Sequence, residues 1–124
     1  MSNALNWFEI PATNIKRAKK FYDTVLNAEL TEASMDGYQM AIFPHDQTSG
    51  VGGALAAGKQ CVPSTDGQVV YLNMNGDIDG PLSRVAKAGG KIAMDKTLLS
   101  DEIGYIAMII DSEGNRVGLH SPAK

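Results

Sequence analysis

The sequence predicts an α+β domain of two tandem βαβββ modules whose sheets surround a shared hollow. Two observations carry this reading. Segments with the patterns of strand, helix and three strands follow one another twice. Matched landmarks in the two runs lie half a chain apart: Ile15 to Ile78 is 63 residues, Asn27 to Gly89 is 62 and Leu30 to Ile92 is 62, in a chain of 124. A period that fills the chain with two copies predicts one pseudo-symmetric domain, because a solenoid needs about three or more repeats. A content of 44% hydrophobic and 20% charged residues is globular, and the length suffices for one core. The domain is expected to span 1–124, with module one over about 4–58, a linker over about 59–67 and module two over about 68–121.

In module one, Leu5 to Ile10 alternates as a strand, with Phe8 and Ile10 on one face and Trp7 and Glu9 on the other, and Pro11 ends it. A helix follows, with Thr13 or Asn14 as its cap. Its apolar stripe is Ile15, Ala18, Tyr22, Val25 and Leu26, and Asn27 suits a left-handed C-terminal position. Glu29 to Met35 and Tyr38 to Phe43 read as strands joined by Asp36-Gly37, a strong hairpin signal. After a polar loop over 44–50, Val51 to Ala56 is a fourth strand whose Gly52 and Gly53 strip side chains from one spot. These adjacent glycines do not match a phosphate-binding loop. Pro63, Ser64, Asp66 and Gly67 mark the linker.

Module two repeats the order. Gln68 to Met74 is expected as a strand, with Leu72 and Met74 on one face and Val69, Tyr71 and Asn73 on the other. Asp77 or Asp79 caps a helix with Pro81 in its first turn and Gly89-Gly90 at its end. Lys91 to Leu99 reads as a strand. The closing hairpin is Tyr105 to Ile110, the turn Asp111-Ser112-Glu113-Gly114-Asn115, and Arg116 to Ser121. Alternation in the last strand puts Val117 and Leu119 toward a core and Gly118 and His120 on the opposite face, as a bare backbone patch beside an imidazole. With each sheet covered by its own helix, Trp7, Glu9, Val69, Tyr71, Asn73, Gly118 and His120 are expected to face the hollow, where small molecules bind.

A net charge of −3 and a pI near 5.2 argue against a nucleic-acid surface. The basic group Lys16, Arg17, Lys19 and Lys20 reads as a solvated helix face. Cys61 stands alone, which excludes an intrachain disulfide and a thiolate cluster. Met1 to Asn6 lacks the pattern of a leader, and no apolar run approaches the roughly 18 residues of a membrane span, so a cytoplasmic protein without membrane contact is expected. Met40, Met74, Met94 and Met108 read as core filler, and His45 as a loop residue at the cavity rim or without a role.

Several runs together carry a resemblance: Asn6-Trp7-Phe8-Glu9-Ile10-Pro11, Lys20-Phe21-Tyr22, Gly52-Gly53-Ala54-Leu55, Tyr71-Leu72-Asn73-Met74, Ala88-Gly89-Gly90-Lys91 and the stretch Asp111 to Ser121. In this order they resemble the vicinal oxygen chelate superfamily, and more narrowly its glyoxalase/bleomycin-resistance/dioxygenase domain. The resemblance implies a glyoxalase-like fold, with paired βαβββ sheets curled into a cup around a central cavity. It also implies a homodimer, and in many members a divalent metal that chelates adjacent substrate oxygens.

Carried over residue by residue, the four ligand positions of metal-dependent members fall at Trp7, at Gly52 or Gly53, at Val69 or Val70, and at Gly118. No metal site and no cofactor are therefore expected, with a divalent metal as the alternative. Glu9 and His120 remain on the cavity face as candidate catalytic groups. They could serve as acid and base, or as a structural pair. Trp7, Tyr71, Asn73 and Gly118 are candidate ligand contacts. Three functions follow: a metal-independent cup that binds a small organic molecule, a glyoxalase-like lyase, isomerase or dioxygenase using a metal or Glu9 and His120, and an interaction module.

Overall fold

The computed structural model describes residues 3–123; Met1 and Ser2, part of the segment searched for a leader, lie outside the described residues, as does Lys124. Module one comprises β1 (Trp7–Pro11), α1 (Ile15–Leu26), β2 (Thr31–Met35), β3 (Tyr38–Ile42) and β4 (Gly52–Ala57). Module two comprises β5 (Tyr71–Asn73), α2 (Asp79–Ala88), β6 (Lys91–Ser100), β7 (Gly104–Ile110) and β8 (Arg116–Ser121). The sheets repeat one topology, β1-β4-β3-β2 and β5-β8-β7-β6, with the first pair parallel and the others antiparallel. Among the described residues, no helix is long and apolar enough to cross a membrane.

Local chemistry sets the boundaries. Asn14 caps α1 by accepting from the Arg17 N–H at 3.1 Å, and Asn27 ends it at φ 50°. Asp36 and Gly37 both take positive φ (49° and 84°), as a tight two-residue hairpin turn requires. At α2 the side chain of Asp77, not Asp79, accepts from the Gly80 N–H at 3.0 Å. β5 is shorter than the strand expected over 68–74, because residues before Tyr71 belong to the linker that runs beside β8.

The modules are joined through their helical faces. α1 packs against α2, and one apolar core runs from Ile10, Leu55 and Phe43 through Tyr22 and Val25 to Val85, Ile109 and Leu119. The opposite faces of the sheets stay open, with Trp7 40% and Tyr71 49% exposed. The basic residues of α1 are largely ion-paired at the surface: Lys16 with Glu32, Arg17 with Glu113 and Lys19 with Asp23.

The turn Asp111 to Asn115 clasps the modules together. Asp111, 4% exposed, accepts from Tyr22 Oη at 2.7 Å, from the N–H groups of Glu113 and Asn115 at 2.9 Å, and from Asn115 Nδ2 at 3.1 Å. Asn115 Nδ2 also donates to the Pro11 carbonyl at 2.6 Å. The Glu113 side chain, fully covered, accepts from the N–H groups of Thr13 and Asn14 at 2.8 Å and from two nitrogens of Arg17. It thus places an anion at the start of α1, where the helix dipole favours one.

Burial alone would raise the Glu113 pKa, but the hydrogen bonds from Arg17, Asn14, Thr13 and Ser112 prevail and hold the carboxyl below its ordinary 4.5. A depressed carboxylate contributes stability that is fully present above the unfolded pKa and is lost as pH falls through the folded one. Stability should therefore begin to fall near pH 4.5 and continue falling below it. In Glu113→Gln, urea unfolding across that range should lose this component of the slope, and an unchanged slope would show that the clasp does not carry it.

Candidate functional site

The strand register puts an aromatic residue opposite a glycine at equivalent places in both sheets. Trp7 pairs with Gly52 and Phe8 with Gly53 across β1 and β4, and Tyr71 pairs with Gly118 across β5 and β8. A Cβ added at Gly53 would strike the Phe8 ring, one at Gly118 the Tyr71 ring, and one at Gly52 the His45 ring. The glycines are where flat rings lie against the sheet. This corrects the expectation of bare backbone patches at Gly52, Gly53 and Gly118: the space left by each missing side chain is filled by a ring.

The same register tests the metal positions that the resemblance implies. Tyr71 faces Gly118 as Trp7 faces Gly52, so the third position falls at Tyr71 and not at Val69 or Val70. An indole and two glycines supply no ligating side-chain atom, and one phenol cannot make the roughly three-donor set of a catalytic metal. Among the described residues, no group of three His, Cys, Asp or Glu side chains is placed to hold a metal. The residues do not fit the fold's metal.

Trp7 and Glu9 share a groove of about 570 Å³ on the open face of the first sheet. The indole N–H donates to Glu9 Oε2 at 3.4 Å, a long bond. Across from them stand Met35, Asp36 and Tyr38 of the β2–β3 hairpin, with Met40 beneath and Gln60 and Cys61 of the linker at one side. Alternation could have found Tyr38 and Met40, which lie two apart on β3, and the Asp36-Gly37 turn sets Met35 opposite Tyr38. What it could not supply was the curl that brings the hairpin over β1. Burial and the Glu9 carboxylate push the Cys61 thiol up, which keeps it protonated and a poor nucleophile at neutral pH.

Among the described residues, this groove is lined by module one and the linker, and none of the second-module residues expected in the hollow borders it. The contact between α1 and α2 fixes the modules side by side, so their sheets do not close face to face. The other candidates lie on the second sheet. His120 pairs with Asn73 across β5 and β8, and its Nε2 bonds the Ile103 carbonyl at 2.6 Å. Glu9 and His120 thus engage different partners on different sheets. Val69 is half-buried in the linker and outside β5.

The Asn73 side chain accepts from the Asn75 N–H at 2.8 Å and borders a second cavity of about 480 Å³ between the modules. That cavity is bordered on the other side by His45 and Asp46. His45 bonds the Phe43 carbonyl through Nδ1 at 3.0 Å and meets Trp7 edge to face at 6.2 Å. Hydrogen bonds from Ser49 and Thr48 hold the Asp46 carboxyl far below the usual carboxylate range and tie down the loop that carries His45.

The architecture is that of known structures. A glyoxalase/bleomycin resistance protein from Albidiferax ferrireducens T118 is 15% identical, with 97% of this chain and 100% of that one covered at a TM-score of 0.69. Glyoxalase I from Zea mays is 21% identical at a TM-score of 0.67, with 94% of this chain and 45% of that one covered, so the chain spans less than half of the maize enzyme. The trypanothione-dependent glyoxalase I of Leishmania major is 16% identical at a TM-score of 0.68, covering 97% of this chain and 87% of that one. No protein-family model and no curated protein matches the sequence. The chain therefore has the glyoxalase/bleomycin-resistance fold, as its sequence implied.

Proposed function

We propose that this protein binds a small organic molecule against the open face of its first sheet, without the divalent metal used by many proteins of this fold, and that it works as a homodimer. One observation carries the reading: where the metal ligands of the fold would stand, the chain has the registered pairs Trp7 with Gly52 and Tyr71 with Gly118. Those pairs exchange donor atoms for flat apolar surface. The groove beside Trp7 has the size of a small-molecule site. Support for the dimer is that both sheets leave Trp7 and Tyr71 substantially exposed on the faces a second copy would roof.

Native mass spectrometry tests each part. The protein is measured before and after a chelator and after addition of nickel, zinc, manganese or iron(II). The expected spectrum shows a dimer that takes up no stoichiometric metal and carries a small organic adduct from the cell. Stoichiometric metal removed by the chelator would overturn the metal-free reading, and a monomer mass would overturn the dimer.

A further inference from the structure

The geometry points to a flat organic cation, an aromatic or heteroaromatic body bearing a permanent or protonated positive nitrogen, as the ligand of the groove on the first sheet. This rests on the proposed binding role and gives it a ligand class. Two aromatic residues line the groove, Trp7 from β1 and Tyr38 from β3, together with Met35 and Met40. Indole and phenol faces attract cations through their quadrupoles, and thioethers are adaptable packing against aromatic bodies.

The charges agree in sign. Glu9 and Asp36 both line the groove, and among the described residues no Lys, Arg or His does. Glu9 receives only the long bond from Trp7, and neither carboxylate takes part in an ion pair among the described residues. An anionic ligand would meet two like charges. A neutral one would gain nothing from either carboxylate. A cation is the ligand that uses rings and carboxylates together.

Trp7 is the chain's single tryptophan, so its fluorescence reports this groove. The test titrates the purified protein at neutral pH, by calorimetry and by Trp7 quenching, with three probes of one ring system: 10-methylacridinium, acridine and acridine-9-carboxylate. Methylacridinium is expected to bind about tenfold or more tighter than acridine, with the carboxylate weakest, and added salt should narrow the gap. In the double variant Glu9→Gln, Asp36→Asn the preference should vanish while acridine affinity is kept. Asn is suited to the positive φ of position 36, so the hairpin is preserved.

Equal binding of acridine, or tighter binding of the carboxylate, would overturn the cation assignment and leave the binding role standing. A preference that survives the double variant would overturn the assignment to this groove. Failure of all three probes to bind would overturn the cation assignment.

Discussion

Asp111→Ala is expected to lower folding stability by about 4 kcal/mol, through loss of the acceptor on which the clasp between the modules is built. Four donors converge on this buried carboxylate, and one of them is the hydroxyl of the fully buried Tyr22. Alanine leaves that hydroxyl dry and unpaired, releases the side chain of Asn115 from one of its anchors, and removes the two bonds that shape the turn. Each orphaned buried group costs about 1–3 kcal/mol. Against a total stability of about 5–15 kcal/mol, the loss should shift the urea midpoint strongly. Tyr22→Phe removes one donor from the same carboxylate and leaves the other three, so its cost should be smaller, about 1.5–3 kcal/mol, as for one hydrogen bond to a charged group. Equal midpoints for Asp111→Ala and the unmodified chain would show that the clasp adds nothing.

Gly104→Ala is expected to cost about 3 kcal/mol, whereas Gly114→Ala should cost about 1–2 kcal/mol, although the two glycines have nearly the same φ. Their φ values are 98° and 96°. A Cβ at Gly114 meets nothing within 4 Å, so only the left-handed conformation resists it. At Gly104 the Cβ would run into the Ser121 carbonyl and come within 2.8 Å of Pro122 Cα, backbone that cannot rotate aside. The difference between the two variants in chemical unfolding therefore isolates the steric part. Because Ile103, whose carbonyl bonds His120, precedes Gly104, the His120 ring signal in an NMR spectrum should shift in Gly104→Ala and stay put in Gly114→Ala.

The doubled element order was legible because it rests on local signals: the stripe of α1, Asn27, Asp36-Gly37 and the glycines after α2. Those signals recur with a period that needs no knowledge of contacts. Alternation also assigned the faces correctly for Trp7, Glu9, Leu72, Val117 and Leu119. It could not say what lies on top of a face. Gly118 reads as an empty patch until strand pairing brings Tyr71, 47 residues earlier, alongside it. The arrangement of the modules was hidden for the same reason, since it depends on one helix meeting another and not on any pattern within either. The residues lining the groove split accordingly: alternation put Trp7 and Glu9 on its face, but Met35, Asp36 and Tyr38 come from a hairpin whose curl no periodicity encodes.

The clasp also has a temporal side. The groups that satisfy Thr13, Asn14 and Arg17 reside on Glu113, which follows them by 96 to 100 residues, and the partner of Tyr22 follows it by 89. During synthesis the first helix leaves the ribosome long before its anion arrives. Module one can form its sheet and the Asn14 cap of its helix from contacts within the module, but Thr13, Asn14 and Tyr22 gain their bonds to the clasp only once Asp111 and Glu113 have been made. Such late, distant closure slows folding, because the entropy of bringing remote segments together precedes the bonds that reward it. A nascent chain stopped before Asp111 therefore lacks the piece that locks the start of module one.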